Sequence, residues 1–253
     1  MEVEFPSKAD WGEGIALVEG QKVGDRAYLQ LMESCALAYF HPNPISRHLF
    51  RKRLRIVMSL LGNQPSETLL DAGCGIGYFL PTLARFSRRV EALDRHAVSV
   101  GFARRIVGNR RLDGVGLACG DLLTLPYRDG TFDAIVSLST FEHIQALDVA
   151  CREIRRVAKE GARIVIGFPL EGSLFFELME KLDGRTFLRR AAGLMNKVLE
   201  TDSEARRTVS GHVSNWRTID AALEGCFRVL RRKRMNLLPG LGGLYAFRLL
   251  TTK

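Results

Sequence analysis

Long apolar runs and cysteine pairs are both missing from this sequence of 253 residues. No uninterrupted apolar stretch approaches the roughly 18–20 residues that a membrane-spanning helix needs. The five cysteines form no Cys-x-x-Cys pair, so neither a disulfide framework nor a zinc cluster is indicated, and each is expected to be a small buried residue. The opening run MEVEFP has acids and a proline where a secretory signal has a basic start and an apolar stretch. A cytoplasmic location is therefore expected.

Acidic residues are scarce relative to basic ones, and internal repeats and low-complexity tracts are absent. The 37 Lys and Arg exceed the 28 Asp and Glu by nine, a surplus that attracts phosphates, nucleic acid or an anionic membrane surface without identifying which. With 46% hydrophobic and 26% charged residues, the composition is that of a globular chain and argues against wholesale disorder. The length fits one large α/β domain.

Short apolar runs alternate with stretches of helical period over residues 64–168, which is typical of β-α-β units in a parallel sheet. Helices are predicted at Ile45–Leu61, from near His96, and at Trp216–Glu224, and two further helices are predicted within Ser173–Thr201. A segment rich in proline and glycine, Leu237–Gly243, predicts the turn of an antiparallel pair. Seven strands are predicted, at Thr68–Ala72, Val90–Asp94, Gly114–Cys119, Phe132–Leu138, Ala162–Phe168, Phe227–Asn236 and Leu244–Thr252.

Three alternating glycines, Gly73, Gly75 and Gly77, follow the first predicted strand. They remove Cβ atoms where a ligand lies against the backbone, which indicates a ligand of the nucleoside type. The dinucleotide fingerprint G-x-G-x-x-G is not met, because Tyr78 or Leu80 stands where its third glycine is required. A loop that binds a nucleoside triphosphate would have Lys and then Ser or Thr after Gly77, but this chain has neither there. Dinucleotides and nucleoside triphosphates are thus disfavoured.

The run Asp71-x-Gly73-x-Gly75-x-Gly77 resembles the first motif of class I S-adenosylmethionine-dependent methyltransferases, of the type 11, quinone and small-molecule kind. Further stretches at Val90–Asp94, Gly120–Leu122 and Leu125–Asp133 agree with that family in order and spacing, and the similarity covers residues 45–168. The resemblance implies a Rossmann-like, doubly wound α/β fold. Its seven-stranded sheet would be mostly parallel with one antiparallel strand, helices on both faces and a helical cap. We accordingly divide the chain into an N-terminal cap segment, 1–44, and a methyltransferase domain, 45–253, with a helical lid insertion at about 171–212.

The resemblance also implies how S-adenosylmethionine would be held. Asp94 would bind both ribose hydroxyls, since a carboxylate offers two acceptor oxygens. Asp121 would accept from the exocyclic amine of adenine, and the Leu122 N–H would face a ring nitrogen. Taken singly, Asp94 could instead be a solvated strand-end acid or a helix cap, Asp121 a turn residue and the glycines simple turn glycines. The expected cofactor-binding set is Asp71, Gly73, Cys74, Gly75, Gly77, Asp94, Arg95, Asp121, Leu122 and Ser139.

Two histidines are the candidates for catalysis. Methyl transfer from a sulfonium mainly needs positioning, but a base with a pKa near neutrality would help an oxygen or nitrogen acceptor, and histidine usually supplies it. His143 follows the fourth strand; the family's equivalent Glu-His pair lies beside the cofactor's methionine end, so shaping the cofactor site is an alternative to base catalysis. His212 would face the acceptor from the other side, or would lie in a solvated loop. No metal is expected.

The acceptor is predicted to be a small or lipid-like molecule, with O-methylation ahead of C- or N-methylation. The stretch Leu138–Phe141 lacks the Pro-Pro-aromatic tetrapeptide of enzymes that methylate nucleobase amines. Apolar faces in the expected lid suit an apolar acceptor, although packing against the core would use the same residues. The alternatives are an RNA methyltransferase that uses the basic surface and a non-catalytic S-adenosylmethionine-binding partner protein. Because no RNA-binding motif is found, nucleic acid is not expected as a partner.

Basic residues suggest a further hypothesis, contact with an anionic membrane that carries a lipid-linked acceptor. A solvated surface is the alternative, and charge on a late strand also protects a sheet edge. The residues concerned are Arg47, Arg51, Lys52, Arg55, Arg189, Arg190, Lys197, Arg228, Arg231, Arg232, Lys233 and Arg234.

Overall fold

The computed structural model describes residues 2–11, 31, 38–40, 44–170, 212–236 and 243–253. The two helices predicted within Ser173–Thr201, the lid at 171–212 apart from His212, and most of the cap segment 1–44 lie outside the described residues. So do Cys35 and the predicted turn at 237–242. The division into cap, domain and lid remains a prediction.

Seven strands form one sheet in the order β3-β2-β1-β4-β5-β7-β6. β7 runs antiparallel to both β5 and β6, whereas the remaining pairs are parallel. The predicted α/β sheet with one antiparallel strand is thereby confirmed. The strands are β1 (Ser66–Ala72), β2 (Ser87–Asp94), β3 (Val115–Cys119), β4 (Phe132–Leu138), β5 (Ala158–Pro169), β6 (Phe227–Met235) and β7 (Tyr245–Thr252).

Helices pack on both faces of this sheet, as predicted, because one apolar cluster lies on each face. Leu54, Leu83 and Ile106 belong to one buried cluster, and Ile154 and Leu223 belong to the other. Each of these side chains lies on the apolar stripe of an amphipathic helix. The helices are α1 (Pro44–Leu61), α2 (Leu80–Phe86), α3 (Ala97–Asn109), α4 (Leu147–Val157) and α5 (Trp216–Cys226).

An ion pair joins α5 to the antiparallel strand β7. The side chain of Arg248 is 2% exposed, and its Nε and Nη2 atoms donate to the two carboxylate oxygens of Asp220, each at 2.6 Å. Such two-point pairing fixes the orientation of both groups. The pair therefore sets where α5 lies on the sheet.

The N-terminal segment packs against the chain that follows β1. The indole Nε1 of Trp11, which is fully buried, donates to the carbonyl of Ile76 at 2.8 Å. Its ring stacks on Tyr78 with 5.8 Å between centroids and meets Phe40 edge-on at 5.3 Å. Aromatic contacts of this kind add to the burial energy. Residues 2–11 thus pack against the glycine loop through Trp11.

The described cysteines differ in burial. Cys74 and Cys151 are buried and Cys226 is partly buried, but Cys119 is exposed. The prediction of burial is wrong for Cys119 because it ends β3, the outermost strand on its side of the sheet. Within the described ranges, no helix has the length and the apolar character that bilayer crossing would take.

Candidate functional site

A pocket lies at the carboxyl ends of β1, β2 and β4, where the strand order reverses between β1 and β4. Ligands of open α/β sheets bind at such a switch point. Among the predicted site residues, Gly75, Gly77 and His212 are not part of the lining. The predicted residues that do line the pocket are Asp71, Gly73, Cys74, Asp94, Arg95, Asp121, Leu122, Ser139 and His143. Lining residues that the sequence did not predict include Tyr39, Arg53, Ile76, Thr140 and Ile144.

The glycine loop needs glycine for its backbone and for its closeness to Thr140. Gly73, Gly75 and Gly77 have φ angles of 92°, 54° and 78°, in the left-handed region that residues with a Cβ rarely adopt. A Cβ on Gly73 would stand 2.1 Å from Oγ1 of Thr140, well inside contact distance. The alternating glycines are therefore structural requirements of this turn.

The amides of the glycine loop are bonded to β2. The Gly73 and Cys74 N–H groups donate to the Leu93 carbonyl at 2.8 and 3.0 Å, and the Gly75 N–H donates to Asp94 Oδ2 at 2.8 Å. Phosphate-binding loops instead leave successive amides for the anion. The loop is consequently unsuited to cradle a diphosphate, in agreement with the sequence-based exclusion.

Two buried acids, Asp71 and Asp94, line the pocket beside the loop. Burial, followed by the nearby Asp94 carboxylate, raises the pKa of Asp71 from 3.8 to about 7. Burial also raises the pKa of Asp94, although the N–H groups of His96 and Gly75 bond its oxygens and oppose that rise. Two acids that lie together in an apolar pocket favour a ligand that carries positive charge.

Asp94 keeps capacity for a ligand after its two backbone bonds. One N–H donates to each of its oxygens, Gly75 to Oδ2 at 2.8 Å and His96 to Oδ1 at 2.9 Å. An ionised carboxylate has about four acceptor positions, so roughly two remain for a pair of hydroxyls. Asp94 is buried and the N-cap of α3 is His96, so Asp94 is neither a solvated strand-end acid nor the cap of that helix. Its binding of the ribose stays a prediction.

Asp121 and Leu122 form the wall of the pocket after β3. Asp121 is exposed, and its Oδ1 accepts the Leu123 N–H at 2.9 Å, which is an Asx-type turn. Leu122 is buried at 5% exposure. An apolar wall next to a carboxylate edge suits a flat heterocycle that carries an amine.

Ser139 holds a strained position at the end of β4, with φ of 53°. Its Oγ accepts a hydrogen bond from Arg53 Nη1 at 2.7 Å and lies 2.8 Å from the Tyr245 hydroxyl. Arg53 is 4% exposed, and its guanidinium stands 4.3 Å from the Phe50 ring centroid and 4.9 Å from that of Tyr245. Arg53 therefore connects α1 to Ser139 at the end of β4.

The predicted histidines lie next to each other. The rings of His143 and His212 are 4.9 Å apart between centroids, and His212 is exposed in a loop. The two segments are held together because the Glu142 carbonyl accepts the N–H groups of Val213 and Ser214, at 2.8 and 3.1 Å. The position of His212 relative to the acceptor stays a prediction. Burial raises the pKa of the Glu142 carboxyl to about 8.

Comparison with known proteins supports the same domain. A family model described as a methyltransferase domain matches residues 70–166. Norajmaline N-methyltransferase from Rauvolfia serpentina is 35% identical over 102 residues, 40% of this chain and 35% of that protein. Demethylmenaquinone methyltransferase from Streptomyces avermitilis is 32% identical over 112 residues, 44% of this chain and 46% of that protein. The chain thus matches less than half the length of either relative.

Among solved structures, the N-methyltransferase NodS from Bradyrhizobium japonicum, in complex with S-adenosyl-L-homocysteine, has the same fold. It superposes with a TM-score of 0.57 at 17% identity, over 84% of this chain and 89% of that one. The strand order and the pocket at the switch point agree with the family match, so residues 70–166 are similar to a methyltransferase domain and the chain shares its fold with a known N-methyltransferase.

Proposed function

We propose that this chain transfers the methyl group of S-adenosylmethionine to a small-molecule or lipid-like acceptor in the cytoplasm. One observation carries the proposal. The amides of the glycine loop bond to β2 while Asp71 and Asp94 are buried in the same pocket. That combination disfavours a diphosphate and favours a nucleoside that carries a positive charge.

Three residues would hold the nucleoside part of the cofactor. The acceptor positions left on Asp94 suit the two ribose hydroxyls, which would form charge-assisted hydrogen bonds. The free lone pairs of Asp121 suit an exocyclic amine, and the buried Leu122 side chain suits the face of adenine. Gly73 lines the pocket beside Asp71, whose carboxylate would balance the positive charge of the methionine part.

The reaction needs positioning more than acid-base chemistry. When bound, S-adenosylmethionine supplies an activated methyl group on sulfur. The chain's own part is to hold the acceptor in line with that methyl and to exclude water. His143 lines the same pocket, so its imidazole is placed to accept a proton from an acceptor hydroxyl. This placement is the basis for proposing O-methylation.

The relatives support a small acceptor. One is named for norajmaline and the other for demethylmenaquinone, and neither name refers to a nucleic acid or a protein. Apolar and aromatic side chains line the pocket, among them Tyr39, Leu138 and Ile144. Such a lining is typical of sites for small organic ligands.

The test is incubation of the protein and a cell extract with S-adenosylmethionine labelled on its methyl group. Separation into lipid, small-molecule, RNA and protein fractions is expected to give label in the first two. Label in RNA that is lost steeply with added salt would support the RNA alternative instead. Cofactor binding with no labelled fraction would favour the non-catalytic alternative. The Asp94→Ala variant is the control for label that does not depend on this pocket.

A further inference from the structure

Three metal-binding side chains meet at the end of the pocket that follows β4. Glu142, His143 and His212 each offer one donor atom, and these atoms all lie within 4.8 Å of one another. His143 lines the pocket, and His212 is exposed next to it. The cluster thus opens toward the space where the acceptor would bind.

The fold holds the two segments of this cluster together. The Val213 and Ser214 N–H groups donate to the Glu142 carbonyl, and the Ser214 hydroxyl donates to the Ile144 carbonyl at 2.7 Å. These bonds join residues some 70 positions apart in sequence, directly beside the donor atoms. His143 and His212 are therefore held close together by hydrogen bonds between their two chain segments, in addition to the contact between their rings.

The carboxylate of Glu142 points to a missing ligand. Its side chain is 2% exposed, and within the described ranges its Oε2 has no hydrogen-bond partner. A buried polar atom without a partner costs about 1–3 kcal/mol, more for a charged group, so native proteins rarely keep one without a reason. A bound cation would supply the partner.

We propose that Glu142, His143 and His212 bind one divalent transition-metal ion. Two imidazole nitrogens and one carboxylate oxygen suit Zn²⁺ or Fe²⁺, whereas Mg²⁺ and Ca²⁺ prefer oxygen ligands alone. Three protein ligands leave a coordination position open. Resting on the proposed function, we assign that position to an oxygen of the acceptor, which the ion would hold beside the cofactor's methyl group. With His143 bound to the ion, the ion would take over from the imidazole in promoting loss of the acceptor's proton.

Metal binding would draw the three donor atoms closer together. In a tetrahedral site with each ligand about 2.1 Å from the ion, the ligand atoms stand about 3.4 Å apart. The donor atoms of Glu142, His143 and His212 lie within 4.8 Å of one another.

The test is titration of the full chain, after treatment with a chelator and dialysis, with Zn²⁺ by calorimetry and with Co²⁺ by its visible absorption. The wild type is expected to bind one ion per chain. His212→Ala, His143→Ala and Glu142→Gln are each expected to weaken binding at least tenfold. His48→Ala is the matched control, since His48 is exposed on α1 and outside the cluster. Circular dichroism checks that each variant folds.

The titration uses no methyl donor, so its outcome is independent of the proposed reaction. Equal metal binding by the wild type and His212→Ala would overturn the metal site. Metal binding that needs all three residues would support the site even if no acceptor were ever methylated. If the metal-free protein methylated its acceptor at the full rate, the assignment of the open position to that acceptor would be overturned.

Discussion

At the scale of single residues, the carboxylate of Asp94 connects the cofactor site to the loop that builds it. We expect Asp94→Ala to weaken S-adenosylmethionine binding about a hundredfold, or 2–3 kcal/mol, because two charge-assisted hydrogen bonds are lost. Calorimetric titration measures this directly. Asp113→Ala, an exposed acid in the loop before β3, is the control and should bind as the wild type does. An unchanged affinity of Asp94→Ala would contradict the ribose assignment.

Asp71 should make stability depend on pH. Its pKa is raised to about 7 in the folded chain, from 3.8, so the folded chain retains a proton that the unfolded chain releases between these values. The contribution of this group to stability is therefore present at low pH and is lost as pH rises toward 7.

Asp71→Asn removes that titration. The wild type loses this contribution as pH rises, whereas the variant does not. The difference in free energy of unfolding, variant minus wild type, should therefore rise by about 2–4 kcal/mol from pH 5 to pH 8. Urea denaturation at the two pH values measures the change. Asp113→Asn should show no such difference. If Asp71→Asn kept the wild-type pH dependence, Asp71 would not be the group responsible.

The sequence predicted those site residues that lie at the carboxyl ends of strands. Asp71, Asp94 and Ser139 could be assigned because parallel strands bring their carboxyl ends to one sheet edge. Arg53 was missed, although its spacing from Phe50 places a charge on the apolar face of α1, which was a usable signal. Its contact with Tyr245 depends on tertiary packing, which no local pattern encodes.

At the scale of elements, the position of α5 depends on one buried ion pair. Asp220→Ala leaves Arg248 buried without its counter-charge, and we expect a loss of about 3–5 kcal/mol in the free energy of unfolding. Replacing both residues, Asp220→Leu with Arg248→Met, should cost less than the single change. Chemical denaturation measures all variants.

Glu224→Ala is the matched control on the same helix. Its ion pair with Arg232 is about half exposed on both sides, so its loss should cost at most about 1 kcal/mol. Equal costs for Asp220→Ala and Glu224→Ala would show that burial of the Arg248 pair does not matter.

The strands were predicted well because a buried parallel sheet needs continuous apolar runs. The beginning of β5 shows the limit of that signal. The structure begins β5 at Ala158 and not at Ala162, since a register shift against β4 and the φ of 72° at Gly161 let the strand pass through polar residues. A polar stretch that contains glycine predicts a loop, so a bulge there could not be foreseen.

At the scale of the whole molecule, two basic elements adjoin. Lys233 Nζ on β6 donates to Ser59 Oγ on α1 at 3.2 Å, so the basic strand β6 contacts the last turns of α1, where Arg55 is exposed. This supports the hypothesis of contact with an anionic membrane. Arg189, Arg190 and Lys197 lie outside the described residues.

Liposome flotation tests this contact. We expect flotation with anionic but not with neutral vesicles, reduced by salt, and a loss of about 1 kcal/mol for each of Arg231→Gln and Arg234→Gln. Arg104→Gln is the control, since Arg104 is an exposed residue of α3. Equal flotation with both vesicle types would remove the membrane hypothesis.

The fluorescence of the Trp11 indole should report ligand binding at the glycine loop. The chain has two tryptophans, and this one is bonded to Ile76 inside the glycine loop. Any ligand that tightens or shifts that turn alters the surroundings of the ring, and hence its emission. Replacing Trp216 with phenylalanine would leave a single tryptophan, and occupancy of the nucleoside pocket could then be followed in solution without a label.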